Sequence, residues 1–376
     1  MGDRTVTKSS YDSAINKHIS SGQPSTTRGF EEVRNTGKLH PLVDPSGYDV
    51  IRRSLIRLDP QPNGLFLVTV GPPIEHETRL DTTGSMGRNV EVAIKVLPHT
   101  YDLSSKMLPG SDLQLAIGIF GDCQDSFVLC RPQFEMTSDK LVEQLTLMVP
   151  EGLGGGNGGE DPQYGLFGAA YLTSSYNNRI GLKGYDFTIS DEPARERLDE
   201  RQLKRVFGDE VFRKTTENGF EINHRDLPST KEVVKDLLKR SHAFFLEAGQ
   251  AYSNTHSFWV NMFGEERIVV LPEIDILPHV QAVIIGLTEG TISTSEVIDF
   301  LIENGIGKEN ARIIARSVSN IPIGAQAELR RKVEQEHRIP KKGDYFRAKT
   351  DLWPIDLSEV PQSDGTQPTQ GGINWL

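Results

Sequence analysis

Asp81-Thr82-Thr83-Gly84-Ser85 is the stretch on which the reading of the fold turns. Residues 74–80 lead into it, and residues 89–97 beyond it have helical spacing, so it sits where a strand ends and a helix begins. One carboxylate and two hydroxyls at alternate positions of a tight, glycine-containing turn can face a single point. Such a set suits a hard cation such as Mg²⁺, which takes oxygen ligands and keeps positions for water or a partner.

Working outward, Leu65-Phe66-Leu67-Val68-Thr69-Val70 is a β-prone run closed by Gly71-Pro72-Pro73, which predicts a strand. Residues 113–120 predict a second strand. After the turn Gly121-Asp122-Cys123-Gln124-Asp125, residues 127–134 return as an antiparallel edge. Residues 137–149 and 163–176 predict helices on either side of a glycine-dense loop at 152–159. Residues 185–191 form a strong strand that ends in an acid. Ser229 and Glu232 have capping-box spacing and open a helix to Arg240. Residues 242–246 and 267–271 are further short apolar strands. Strands separated by helices imply a layered α/β sheet, mainly parallel, with helices on both faces.

Beyond Pro278 the pattern is helical only, with elements expected at 278–287, from the capping-box pair Ser293 and Glu296 to 304, at 309–318 and at 325–336. The domain plan is therefore a flexible arm over 1–47, an α/β domain over 48–290, a C-terminal helical extension over 291–337 and a polar, Pro-rich tail over 338–376. Within that tail Trp353 and Trp375 are expected to dock on this chain or another.

Acids and hydroxyls follow several of these strands. They are Asp81, Thr83 and Ser85, then Asp122 with Asp125, Glu160 and Asp161 after the glycine run, and Asp191. In a parallel α/β sheet the loops at the strands' carboxyl ends share one rim, so residues far apart in sequence can converge there.

Asp81-Thr82-Thr83-Gly84-Ser85-Met86 resembles the D-x-T/S-x-S signature of von Willebrand factor type A domains, in the form common in bacterial members. Gly118-Ile119-Phe120-Gly121-Asp122 is similar to the second-strand motif. Gly158-Gly159-Glu160-Asp161-Pro162 and Thr188-Ile189-Ser190-Asp191-Glu192-Pro193 resemble loops of the branch found beside alpha-kinases. The resemblance spans roughly residues 65 to 290. It implies a doubly wound, Rossmann-like sheet with a metal-ion-dependent adhesion site at its rim. Carried over, Asp81, Thr83 and Ser85 form the first coordinating loop and Asp191 is the acid of the later strand. Glu160 or Asp161 stands where the family often has Thr, with the choice between them open, and Asp122 matches the branch motif. The chain departs from the pattern at Glu75-His76-Glu77-Thr78-Arg79, which is more charged than a buried central strand should be.

The 376-residue chain carries 52 acidic and 41 basic side chains, a net charge of −11, which argues against general binding to nucleic acid or anionic membranes. The run Arg201-Gln202-Leu203-Lys204-Arg205 reads as a solvated helix face. Two cysteines, Cys123 and Cys130, provide neither a disulfide framework nor a zinc pattern and fit a reducing compartment. No apolar leader, spanning segment or myristoylation pattern appears, so a soluble cytoplasmic protein is expected. The glycine loop lacks the G-K-[ST] of a phosphate-binding loop, and neither G-x-S-x-G nor H-E-x-x-H occurs. His76 and His99, near the proposed rim in sequence, are expected to be structural.

Two functions follow. The first is a metal-dependent protein-binding module, a scaffold or adaptor whose divalent ion, Mg²⁺ foremost with Mn²⁺ or Ca²⁺ as alternatives, meets a partner's carboxylate. The resemblance suggests AAA-type ATPases or stress and conflict systems as its setting. With Asp81, Asp191 and Glu160 near the ion its residual charge falls toward zero, so metal binding is the stronger expectation than capture of a partner's acid. The second is a Mg²⁺-dependent phosphoester hydrolase on the same acids, weakened by the lack of an evident general base.

Overall fold

Burial of β1 (Ile74–Asp81) along all eight of its residues is the organising feature of the molecule. The computed structural model describes residues 27–47, 50–87, 89–108, 110–150, 160–248 and 254–360. The glycine-dense loop 152–159, most of the N-terminal arm, Tyr48 and Trp375 lie outside the described residues.

Five further strands join β1 in one sheet: β2 (Leu113–Phe120), β3 (Leu129–Cys130), β4 (Gly184–Ser190), β5 (Ser241–Ala248) and β6 (Ile268–Leu271). Their spatial order is β6-β5-β4-β1-β2-β3. All pairings are parallel except the short β3, which runs antiparallel along β2 as an edge. Helices cover both faces, so the fold is the doubly wound, Rossmann-like class with an antiparallel edge strand. The order reverses between β1 and β4, the place where open α/β sheets leave a crevice beyond the strand ends.

Alternation along β1 divides its side chains between two layers. Ile74, His76, Thr78 and Leu80 share one face with Leu115, Ile117, Phe187, Ile189, Phe244 and Leu246. There the large core closes against the helices Asn89–Val96, Ser138–Thr146 and Leu277–Glu289. His76 is buried in that layer with its ring 4.9 Å from Phe187, and neither ring nitrogen has a hydrogen-bond partner.

The opposite face of β1 carries Glu75, Glu77, Arg79 and Asp81. The charge that made residues 75–79 look unsuited to a central strand is neutralised there. Arg79 donates to both carboxylate oxygens of Asp186 (Nη1 to Oδ2, 2.8 Å) and to Thr188 Oγ1 (3.1 Å), and lies 3.3 Å from Glu77. Arg131 grips Glu77 through Nε and Nη2 at 2.8 and 2.9 Å. Burial alone would raise the Glu77 carboxyl, but the two guanidiniums outweigh it and hold it at about 2. Glu75 accepts from Ser54, from Ser175 (2.7 Å) and from Asn177 (2.8 Å).

Long arginines need room, and the helix Pro162–Tyr171 over this face provides it. It is buried along its whole length. A Cβ on Gly165 would stand 2.5 Å from Arg79 Cδ, and one on Gly168 would stand 3.4 Å from Arg131 Cδ. The small residues of this helix therefore match the large cations beneath it. Thr230–Arg240 and Thr255–Phe263 complete this layer, with Val233, Leu237 and Trp259 in its core. Thr230–Arg240 begins with the expected reciprocal Ser229–Glu232 capping box.

Three readings of local structure change. The strand Phe66–Val70 exists but lies outside the main sheet, pairing with Arg57–Pro60 and with Tyr345–Phe346 in a small antiparallel sheet. The expected helix over 163–176 stops at Tyr171, followed by the two-residue strand Thr173–Ser174 and the short helix Tyr176–Arg179. Part of the expected arm is regular: Thr27–Thr36 is helical, and Gly29 lets it approach the Leu147 carbonyl so closely that a Cβ would be 2.5 Å away.

At the C-terminal side, Val297, Leu301, Ala311 and Ile314 join the large core. The helix Ala325–Glu336 is tied down by Gln326, which donates to the Lys183 carbonyl (2.8 Å), and by the Arg330–Glu289 pair (3.3 Å). Trp353 docks on this chain, its ring 3.8 Å from that of His337 and nearly parallel to it. Among the described residues no helix is long and apolar enough to cross a membrane.

Candidate metal centre

The turn after β1 is built by its own side chains. Asp81 Oδ1 accepts from the Thr83 backbone N–H (2.9 Å) and hydroxyl (2.7 Å), the local bonding that favours Asp at turns. Thr82 continues the pairing with β2, its N–H and hydroxyl both donating to the Phe120 carbonyl at 2.9 and 3.0 Å. These bonds fix the Thr83 hydroxyl 3.2 Å from the Ser85 hydroxyl.

From the neighbouring strand β4, Ser190 Oγ donates to Asp81 Oδ2 at 2.5 Å, and Ser85 Oγ donates to Asp191 Oδ1 at 2.9 Å. The two sides of the switch point are thus stitched together by Asp81, Thr83, Ser85, Ser190 and Asp191. Thr255 holds the Asp191 carbonyl (2.9 Å), and the Trp259 indole N–H holds that of Glu192 (3.0 Å).

Glu160 enters from a third segment. Its backbone N–H donates to the Pro193 carbonyl at 3.1 Å and it forms a parallel bridge with Ala194, which anchors it beside the end of β4. The side chain is 4% exposed and reaches the Thr83 hydroxyl, while its Oε2 has no hydrogen-bond partner.

Burial and mutual repulsion hold the acids of this cluster back from ionising. Burial pushes the Asp81 carboxyl up to about 7, against the opposing pull of Ser190 and Thr83. Glu160 rises to about 9, first through burial and then through the neighbouring Asp81, Glu192 and Asp122. Asp191 and Glu192 are also raised, chiefly by burial. Buried acids in such a state call for a positive charge.

Asp122 and Asp161 have met that need differently. Arg195 donates from Nη2 to Asp122 Oδ2 (3.1 Å) and from Nε to Asp161 Oδ1 (2.9 Å). The Cys123 and Gln124 backbone N–H groups bind Asp161 Oδ2 and Asp122 Oδ1 at 2.7 Å each.

The seven sequence candidates therefore divide. Asp81, Thr83, Ser85 and Asp191 form one hydrogen-bonded group with Glu160 against it, and Asp122 and Asp161 form an adjoining pair around Arg195. Among the described residues no group of three His, Cys, Asp or Glu side chains is placed to hold a metal ion, so a cation here would depend on the hydroxyls as well. Hard oxygen donors, raised carboxyls and an orphaned buried oxygen on Glu160 together fit a divalent cation.

Sequence reasoning missed Ser190 and Arg195. Ser190 was legible, since it shares its face of β4 with Asp186 and Thr188. The bridging role of Arg195 depends on two loops meeting and has no local signal.

No protein-family model and no curated protein matches the sequence. Among solved structures, the chain is similar to proximal thread matrix protein 1 from the mussel byssus (TM-score 0.37, 12% identity), over 59% of this chain and 47% of that one. A form of that protein with a zinc-occupied MIDAS motif gives a TM-score of 0.36 at 11% identity, over 57% and 47%. The pilus adhesin SpaC from Lactobacillus rhamnosus GG, in its open conformation, gives 0.38 at 12% identity, over 61% of this chain and 33% of the adhesin. The chain thus spans less than half the length of each, and similarity at this level assigns no function.

Proposed function

We propose that this chain is a metal-dependent protein-binding module of the von Willebrand factor type A kind, related to the branch found beside alpha-kinases and working as a scaffold or adaptor in the cytoplasm. One observation carries the reading. The Ser85 hydroxyl and Asp191 carboxylate, 106 residues apart in sequence, meet at 2.9 Å at the switch point of the sheet, beside the unpartnered Oε2 of Glu160. Asp81, Thr83, Ser85, Asp191 and Glu160 would hold the ion, Mg²⁺ by the hardness of its donors. When bound, the cation supplies the positive charge that these buried acids lack and lets all of them ionise together.

The chain's own residues do the rest. Ser190 fixes one oxygen of Asp81 and thereby orients the other toward Thr83. Thr255 and Trp259 hold the backbone of residues 191 and 192, so the rim presented to a partner is set by the packed face beneath it. Cys123 and Cys130 are not joined in a disulfide and fit a reducing compartment.

Calorimetric titration with Mg²⁺ and Mn²⁺ tests the reading. Asp81→Ala and Ser85→Ala are expected to abolish or sharply weaken binding while the variants keep a cooperative thermal transition. Unchanged affinity in both would end it. Capture of a protein from native lysate that is lost on adding EDTA then supports the binding role, and capture indifferent to EDTA removes the metal from it.

A further inference from the structure

A cavity of about 500 Å³ lies beside the antiparallel edge of the sheet, between parts of the segment 37–47, residues 126–129 leading into β3, and the helix Glu200–Phe207. That volume suits a small organic ligand. Leu39, Val128, Leu129 and Val206, all buried, give it an apolar lining. The wall formed by the segment 37–47 is fixed in place. The Arg131 N–H donates to the Val43 carbonyl (2.8 Å), and the buried Arg52 donates from Nη2 to the Asp44 carbonyl (3.0 Å).

Two cations line the cavity, Lys38 and Arg205, against a single acid, Asp44. Asp44 Oδ1 is taken up by the Ser46 N–H (2.8 Å) and hydroxyl (2.7 Å). Arg205 donates to the carbonyls of Cys123 (2.6 Å), Asp125 and Ser126 (3.1 Å), which bear no formal charge. Among the described residues neither Lys38 nor Arg205 pairs with an acid. In a chain of net charge −11, this is a local excess of positive charge held against low-dielectric walls, where it acts most strongly.

We propose that this cavity binds a small amphipathic organic anion, a carboxylate or phosphate ester whose charged head meets Lys38 and Arg205 and whose apolar body lies against Leu39, Phe127 and Val206. Lys38 is exposed and donates directly to the head. Arg205, with both terminal nitrogens committed to carbonyls, acts mainly through its charge. The site shares no residue with the rim and stands whether or not the rim holds a metal.

Displacement of the fluorescent anion 8-anilinonaphthalene-1-sulfonate tests this on the full chain. The probe is expected to bind with one-to-one stoichiometry and enhanced emission. Octanoate and octyl phosphate are expected to displace it, and octylammonium, with the same chain and the opposite charge, is not. Lys38→Glu should weaken octanoate binding by about tenfold or more, the loss expected for a charge-assisted hydrogen bond. Ser126→Leu, which adds bulk to the lining without altering its charge, should weaken it by about tenfold as well. Both positions are exposed, so the variants are expected to melt as the wild type does.

Displacement by only one of the two anions would identify the head group and support the site. Displacement by octylammonium as readily as by octanoate would overturn the inference, since the cations would then select nothing. So would probe binding without a fixed stoichiometry, or octanoate affinity unchanged in both variants. Failure of the wild type to bind the probe, octanoate and octyl phosphate in calorimetry would overturn it too. None of these results bears on metal binding at the rim, which Asp81→Ala and Ser85→Ala test separately.

Discussion

Replacing Arg79 by Met tests whether the charged face of β1 is held together by ion pairing. Met keeps much of the aliphatic stem but removes the guanidinium, which donates to both oxygens of Asp186, to Thr188 and toward Glu77. Glu77 retains the two bonds from Arg131. Asp186, 2% exposed, loses the guanidinium hydrogen-bonded to it and keeps only the more distant pull of Arg131, which is bound to Glu77. Removing one partner of a buried pair costs about 3–5 kcal/mol, a large share of the roughly 5–15 kcal/mol that holds a domain folded. The double variant Arg79→Met/Asp186→Leu removes both charges and should recover to within about 1 kcal/mol of the wild type, since apolar replacement of a whole buried pair is often neutral. Urea unfolding followed by tryptophan fluorescence reads this as a shift of midpoint at constant slope. A loss below about 1 kcal/mol in the single variant, or a double variant no more stable than the single one, would refute the reasoning.

Two further predictions bear on the same layers. Gly165→Ala would ordinarily gain about 1 kcal/mol of helix propensity. Here its Cβ meets Arg79 Cδ at 2.5 Å, so a net loss of about 1–2 kcal/mol is expected, and a rise in melting temperature would contradict the packing argument. His76 and His242 are both held down to about 3, chiefly by burial, from an ordinary 6.5. The unfolded chain therefore takes up protons first as pH falls, so their contribution is whole above 6.5 and is lost between 6.5 and 3. The loss approaches about 1.4 kcal/mol per pH unit for each histidine. His76→Phe, which preserves the ring against Phe187, should lower the acid slope of the urea midpoint by about one proton, and an unchanged slope would show that His76 does not titrate on unfolding.

Much of the fold was legible because parallel strands and their helices carry strong local patterns. Leu113–Phe120 and Gly184–Ser190 are apolar or β-prone, bounded by turns, and buried on both faces. The Ser229–Glu232 box announced its helix by chemistry alone. Asp81, Thr83, Ser85 and Asp191 were likewise visible, because hydroxyls and acids at strand ends mark the rim of such a sheet. What the sequence hid were partnerships across distance. Glu77 and Arg79 looked wrong for a central strand until Arg131 and Asp186 arrived from elsewhere. Phe66–Val70 has the composition of a core strand, and only its pairing with Tyr345–Phe346 near the other end of the chain shows that it belongs to a separate sheet.

The buried network and the rim explain each other. Glu75, Glu77, Arg79 and Asp81 stand in one row on one face of β1, so any spare positive charge in that row would fall on Asp81. None is spare. Arg79 is spent on Asp186 and Glu77, Arg131 on Glu77, and Arg195 on Asp122 and Asp161. Glu75, at the far end of the row, is satisfied by neutral hydroxyls and an amide. Among the described residues of this face, acids without a cation partner collect at the carboxyl end, on Asp81, Asp191, Glu192 and Glu160, where the strand order reverses and the rim opens. Had Arg79 turned toward Asp81, the rim would have been neutralised from within and a cation would have had nothing to bind. By locking Arg79 in place, Asp186 keeps the centre in need of a cation. Arg79→Met/Asp186→Leu should accordingly leave Mn²⁺ affinity at the rim within about threefold of the wild type, because the balanced pair is removed without altering the charge that faces the ion.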